Sequence, residues 1–323
     1  MQEQNYYRTY SNYLKEQYGE KVYKLPINMP VTCPNRKDGT GGCSFCSEVG
    51  TGFEAHSNQI SITEQLTHTK EKIEKKYKAH KFIAYFQNYT NTFLPLEDFK
   101  QALEEAAAFP DLVEISISTR PDCIHDDYLE YLQELHTKTG IQITIELGLQ
   151  TINYHTLRKI NRGHGLAEYV DAVFRISRYP IHICTHMILN LPYDTTEDAL
   201  ESVRFLSALP IHIVKFHSLY IPKNTLLYRE YKNGKITLCS KEEYLHRLTE
   251  CIALLRSDIA IERLFSRVPE EYSEFSNWGT SWWKLKDEFL ALMDEKQYTQ
   301  GCQCTYLNGA SLHKWRIHNG DSK

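Results

Sequence analysis

"LVEISISTRPDCIHDDYLEYLQELHTKTGIQITIELGLQ", residues 112–150, contains one complete unit of the fold. It begins and ends on short apolar runs, LVEISIST (112–119) and IQITIELGLQ (141–150). Between them DYLEYLQELHTK (127–138) places apolar residues at three- and four-residue steps. The runs read as strands and the middle segment as a helix. Asp126 and Asp127 offer N-cap oxygens where that helix starts, and Gly140 marks its end. A strand, a helix and a second strand in so short a span give parallel strands joined by a right-handed crossover.

The same alternation runs outward in both directions. Strand-like runs recur at VYKLPINMP (22–30), KFIAYFQN (81–88), IHICTHMIL (181–189), HIVKFHSLYI (212–221) and IAIERLF (259–265). Helical periodicity recurs at 96–109, 166–178, 197–209 and 242–256, with cap chemistry at Thr195–Asp198 and a helix end at Pro180. This pattern predicts an α/β fold, a barrel or part of one rather than a sandwich. In such folds chemistry gathers where strands end and loops begin. Those ends carry Gln87, Asn88 and Thr90; Ser118, Thr119 and Arg120; Glu146, Gly148 and Gln150; and Asn190, which are expected to converge on one mouth.

Composition sets the class. The 323 residues carry 41 acidic and 37 basic side chains, a net charge of −4. That is an ordinary globular balance, and it argues against tight nonspecific binding to nucleic acid. No apolar run is long enough to span a membrane, and the polar, aromatic start MQEQNYYRTYSNYLKEQYGEK lacks the layout of a secretory signal. A cytoplasmic protein with no membrane partner is expected. Nine cysteines at irregular spacing then point to reduced thiols with metal or catalytic use, not to a disulfide framework.

Three of these thiols, Cys33, Cys43 and Cys46, fall in one loop, VTCPNRKDGTGGCSFCSE (31–48), directly after the first strand. Zinc, an iron–sulfur cluster and unliganded thiols are all open readings. A structural zinc site closes with a fourth ligand, and no second CxxC or HxxxH follows. Three thiolates on a four-iron cluster leave one iron open to a small molecule.

The strings CPNRKDGTGGCSFC, YFQNYTNTFLP, STRPDCI, ELGLQT, NRGH and HMILNLP together resemble the radical SAM enzymes. More narrowly they resemble the YhcC/YtqA-type group, related to the catalytic subunit of Elongator, over most of residues 5 to 270. Ordinary members of the superfamily have three residues between the first two cysteines, and this chain has nine, as in the Elongator-like branch. The resemblance implies a partial (β/α)6-type TIM barrel over 22–221, a short N-terminal helical segment at 1–21, and a C-terminal α/β extension at 222–323 packed on the barrel. It also implies a 4Fe-4S cluster on Cys33, Cys43 and Cys46 whose open iron chelates S-adenosyl-L-methionine (SAM). One-electron cleavage of SAM would give a 5'-deoxyadenosyl radical. Phe45 matches a position near the adenine. Asn88 and Thr90 fall where relatives receive the methionine amino group, without the usual glycines. Ser118 and Arg120 sit where relatives place polar groups towards the ribose or the carboxylate, and Gln150 and Arg162 match a Gln and Arg pair of relatives, the Arg suited to the methionine carboxylate. Glu146 and Arg120 are the catalytic candidates.

Each residue also has a plainer reading. Glu146 also reads as an acid paired with a neighbouring Lys or Arg, and Arg162 with His164 as a helix-end contact. Cys302 and Cys304 in GCQC read as a free tail pair, and Cys123 and Cys184 as small core residues. The resemblance implies a tRNA substrate and a reductant such as flavodoxin or ferredoxin. The reaction implied is loss of the carboxymethyl group of 5-carboxymethylaminomethyluridine at the wobble position, through hydrogen abstraction, oxidation to an imine and hydrolysis. Arg120 or Arg263 is a candidate partner for the substrate carboxylate. The segment KEKIEKKYKAHK (70–81) reads as a solvated helix face, and LHKWRIH (312–318) is the better candidate for contact with nucleic acid. The hundred or so residues after the barrel are too few for an acetyltransferase domain. A radical SAM enzyme acting on a small molecule and a non-catalytic zinc- or cluster-binding protein are the rival readings.

Overall fold

Seven parallel strands form one sheet in the order β1 (Val22–Ile27), β2 (Lys81–Phe86), β3 (Leu112–Thr119), β4 (Gln142–Gln150), β5 (Ile181–Ile188), β6 (Ile213–His217) and β8 (Ala260–Arg263). The strand β7 (Ile221–Pro222) pairs antiparallel with β9 (Ser273–Phe275) in a separate ribbon. This computed structural model describes residues 6–37, 39, 41–46 and 55–318. Asp38, Thr40, Ser47 and Glu48 of the cysteine loop, and the expected segments' residues 1–5 and 319–323, lie outside the described residues. β1 and β8 are the two edges of the sheet and do not pair, so it is a curled half-barrel. The sheet runs one strand past the six expected, because the segment after 222 contributes β8.

The helices are α1 (Tyr10–Tyr18), α2 (Pro34–Lys37), α3 (Ile62–Tyr77), α4 (Leu96–Ala107), α5 (Asp126–Thr139), α6 (Tyr154–Lys159), α7 (Leu166–Ile176), α8 (Thr196–Ser207), α9 (Leu226–Lys232), α10 (Lys241–Leu254), α11 (Trp282–Glu295) and α12 (Ala310–His318). The cap of α5 differs from expectation. His125 takes the N-cap position without a side-chain cap bond, while Asp126 and Asp127 sit in the first turn, where their charge meets the positive end of the helix dipole. Thr195 caps α8 as expected, with Asp198 completing a capping box.

Alternation along each strand divides the molecule. In β4, Ile143, Ile145, Leu147 and Leu149 face the helices and join the main core, and Thr144, Glu146 and Gly148 face the barrel interior. β3 repeats this with Ile115 and Ile117 outward and Ser116 and Ser118 inward. The interior is therefore polar in its middle. At the amino ends of the strands α1 plugs it: Tyr13 and Leu14 pack on Ile83, Cys184, Ile213 and Ala260, and Tyr18 donates to Glu114 Oε2 at 2.9 Å. The opposite end remains for the site.

Candidate active site

At the carboxyl end, the cysteine loop lies over the sheet and is held by the NRGH segment. Asn35 Nδ2 donates to the carbonyls of Asn161 (2.6 Å) and Arg162 (3.0 Å), and Asn161 Nδ2 donates to the Gly42 carbonyl at 2.8 Å. The Ser44 amide donates to the Ile160 carbonyl at 3.0 Å. Gly163 is required here. Its φ is +77°, and a Cβ would sit 2.2 Å from Asn35 Oδ1.

Each cysteine sulfur has its own arginine. Arg120 Nη1 reaches Cys33 Sγ, Arg162 Nη1 reaches Cys43 Sγ and Arg36 Nη2 reaches Cys46 Sγ, all at 3.6 Å. Asn35 Nδ2 adds a longer contact to Cys43 at 3.7 Å. Three sulfurs each within reach of a guanidinium give the loop a cationic surround of the kind that suits an anionic metal–thiolate group, while burial pushes the Cys46 thiol up against the opposing pull of Arg36. The cavity beside them, about 200 Å³, is lined by all three cysteines. Three cysteine sulfurs from one loop at this cavity, each beside a guanidinium, fit a cluster with one open iron.

The arginines are themselves held. Arg120 makes a bidentate contact with Asp122, Nε to Oδ1 at 2.9 Å and Nη2 to Oδ2 at 2.6 Å. Burial works to raise the Asp122 carboxyl, and Arg120 overcomes it and lowers its pKa. With its fork on Asp122, Arg120 offers Nη1 to Cys33 rather than two donors to a substrate carboxylate. Arg162 donates from Nε (3.2 Å) and Nη2 (2.7 Å) to the Gly148 carbonyl. A Cβ on residue 148 would lie 2.5 Å from Arg162 Nη2, so only glycine admits that guanidinium. His164 also meets the Gly148 carbonyl through Nε2, at 3.1 Å; burial, then Arg162, push its pKa down to about 4, so the ring is neutral and donates. NRGH thus works mainly as a clamp on the cysteine loop.

Beneath the cysteines lies a buried ionic layer. Lys24 Nζ reaches Glu146 Oε1 at 2.6 Å and Glu262 Oε2 at 2.8 Å. Lys215 Nζ reaches Glu146 Oε2 at 3.2 Å and Glu262 Oε1 at 2.9 Å. Ser116 Oγ donates to Glu146 Oε1, and His186 Nε2 meets Oε2, both at 2.6 Å. Burial would raise the Glu146 carboxyl, but Lys215, Lys24 and His186 hold it well below its ordinary value. His186 is depressed by burial, with Glu146 opposing and Lys215 reinforcing, so it donates to Glu146 as a neutral ring. Of the two readings of Glu146, the geometry shows the paired carboxylate, on the floor of the cavity.

Phe45, Thr90, Ser118, Gln150 and Arg162 also line the cavity. Gln150 reaches it through a bulge: Gly148 pairs with His186 and Gln150 with Met187, and Gln150 has φ +80°. Ser118 Oγ donates to the Tyr85 hydroxyl at 3.3 Å. Two strand-end residues are placed elsewhere. Asn88 turns behind the cavity wall, donating to Asn28 Oδ1 at 2.8 Å, because Asn91 Nδ2 bonds the carbonyls of Phe86, Asn88 and Ser118 and folds the turn around itself. Asn190 Oδ1 accepts from the Leu219 amide at 2.6 Å and braces the next strand's exit. Cys184 is a core residue as expected. Cys123 is not: it is partly exposed in a 3-10 turn after Arg120. Cys302 and Cys304 are free.

Arg36, Tyr85, Lys215, His186, His217, Tyr220 and Arg267 line the cavity and escape a reading based on motifs. The signal present was a lone Lys or His inside an apolar strand, as at Lys24 in VYKLPI and Lys215 in IVKFH.

With this geometry in hand, comparison with known proteins decides the family. The model of the radical SAM superfamily matches residues 27–206, and that of the Radical_SAM C-terminal domain matches 211–295. The chain belongs to the radical SAM superfamily. It is 34% identical to YtqA of Bacillus subtilis over 91% of this chain and 92% of that one, and 31% identical to YhcC of Escherichia coli K12 over 82% and 84%. The archaeal Elp3 of Methanocaldococcus infernus superposes with a TM-score of 0.65 at 16% identity, covering 86% of this chain and 64% of that one, which shows a shared fold. The 4Fe-4S cluster and SAM are the cofactors of this superfamily, whose enzymes need a reductant. No helix among the described residues is long and apolar enough to cross a membrane.

Proposed function

We propose that this radical SAM enzyme acts on the tRNA wobble uridine, converting 5-carboxymethylaminomethyluridine to 5-aminomethyluridine, with flavodoxin or ferredoxin as reductant and the cytoplasm as its compartment. The observation that carries this reading is the Elongator-like cysteine loop, with nine residues between Cys33 and Cys43, on a half-barrel that shares the fold of an Elp3.

Cys33, Cys43 and Cys46 would hold the cluster, and Phe45, Ser118, Thr90 and Gln150 would surround SAM. The chemistry supplied when both are bound is one-electron cleavage of the sulfonium to methionine and a 5'-deoxyadenosyl radical that takes a hydrogen atom. Arg36, Arg120 and Arg162, each 3.6 Å from one sulfur, would offset the negative charge of a bound cluster. Phe45, which packs on an apolar cluster with Leu219 and Ile188, shields the site from water. The substrate base must leave its stack to enter so enclosed a cavity. Tyr85, whose hydroxyl accepts from Lys215 Nζ at 3.1 Å, stays protonated because burial raises its pKa, and its hydroxyl borders the cavity.

The test is nucleoside analysis of tRNA carrying the carboxymethylaminomethyl group, after incubation with reconstituted enzyme, SAM and reductant. Loss of that nucleoside with matching gain of 5-aminomethyluridine supports the reading. An unchanged nucleoside profile alongside active SAM cleavage on a small molecule overturns it.

A further inference from the structure

Six cations line the cavity: Arg36, Arg120, Arg162, Lys215, Arg263 and Arg267. Arg120 is held by Asp122, Arg162 by the Gly148 carbonyl, Lys215 by Glu146 and Glu262, and Arg36 by Cys46. Arg267 lies 4.0 Å above the Trp282 ring. Arg263 alone has no hydrogen bond, ion pair or ring contact among the described residues.

Its placement is built. Along a regular strand Glu262 and Arg263 would face opposite sides of the sheet. A register shift between β6 and β8 pairs Lys215 with Arg263, so Glu262 joins the ionic layer while Arg263 is re-aimed into the cavity. Its charged neighbours offer no partner. Lys215 carries the same sign, and the His217 ring, 5.3 Å from that of His186, is kept neutral by burial, His186, Arg263 and Lys215. Glu146 is the one carboxylate lining the cavity among the described residues, and two lysines already neutralise it. A half-buried guanidinium with no protein anion recognises an anion that arrives with a ligand, and its planar fork suits a carboxylate.

We infer that Arg263 is the anchor for a carboxylate of the substrate, carried on the edge strand β8 opposite the edge, β1, that leads into the cysteine loop. Which carboxylate it takes rests on the function proposed above: there it is the glycine-derived carboxylate of the modified uridine. The SAM carboxylate is the competing source of the same chemistry.

The experiment uses reconstituted holoenzyme, wild type against Arg263→Gln and Arg263→Lys, with iron content and melting temperature confirming folding. One arm measures, by calorimetry in the presence of SAM and without tRNA, the binding of glyoxylate, the two-carbon acid that hydrolysis of the imine would release and that carries the same carboxylate. The other measures kcat/KM on the modified tRNA together with SAM affinity. The inference expects Arg263→Gln to weaken glyoxylate at least tenfold and to raise KM for the tRNA in step, with Arg263→Lys between the two and SAM affinity unchanged. Loss of SAM affinity in Arg263→Gln assigns the arginine to SAM and overturns the inference. So does glyoxylate binding that is absent from the wild type or indifferent to the substitution. If glyoxylate binding depends on Arg263 while the wild type leaves the tRNA untouched, the anchor stands and the wobble-uridine reading falls.

Discussion

Replacing Lys215 with Met tests whether the buried ionic layer holds the barrel together. Lys215 Nζ lies 3.2 Å from Glu146 and 2.9 Å from Glu262. At an effective dielectric near 20, each attraction is worth about 5 kcal/mol gross. Met spares the desolvation of an ammonium but leaves two carboxylates sharing Lys24, so the net loss is about 3–5 kcal/mol. With an unfolding entropy of about 2.1 cal/mol/K per residue, that lowers the melting temperature by roughly 4–7 °C. The pH dependence carries the sign. In the wild type Glu146 and Glu262 both sit below their ordinary value of 4.5, so their contribution is complete above that pH and is lost as pH falls. In the variant the largest influence opposing burial on Glu146 and Glu262 is gone, so one of these carboxylates takes a proton as pH falls and relieves the uncompensated charge. The gap between the two proteins should therefore be widest near pH 8 and narrow towards pH 5, read by thermal melts across that range. A gap under about 1 kcal/mol, or one that does not change with pH, would refute this reasoning.

Three further outcomes follow from the site. Gly163→Ala forces a Cβ into Asn35 Oδ1 at φ +77°, costing about 1–2 kcal/mol from backbone conformation alone, and should sharply reduce iron retained per chain after reconstitution. Asp122→Asn weakens the fork that aims Arg120 at Cys33; a loss of about 1.5–3 kcal/mol in chemical denaturation is expected, and kcat/KM should fall while tRNA binding holds. Tyr18→Phe removes a donor from buried Glu114 at the plugged end and should cost about 1–2 kcal/mol in melting experiments without altering turnover.

The strands were legible because apolar runs alternate with amphipathic segments, and the cysteine loop because three thiols in one short stretch are rare. The site's inner wall was harder. Lys24 and Lys215 each look like a single charge in an apolar run and Glu262 sits beside Arg263 in its own, and only the curl of the sheet, which carries edge strand β1 round towards β6 and β8, shows that they meet. Arg263 depends on a bulge that no spacing rule marks. His125 as the cap of α5, and Asn88 turned behind the wall by Asn91, follow from the path of the loops rather than from residue type. Arg120 and Arg162 were found as residues, but their partners, Asp122 and the Gly148 carbonyl, were not.

The proposed activity of this cavity is to generate a radical and spend it on modified tRNA. The most direct measurement is mass-spectrometric quantification of 5'-deoxyadenosine from anaerobically reconstituted protein with SAM and reductant, with and without tRNA bearing 5-carboxymethylaminomethyluridine. The account expects tRNA to raise the product well above background and Cys43→Ala to abolish it. Product that stays at background whatever RNA is supplied would contradict it.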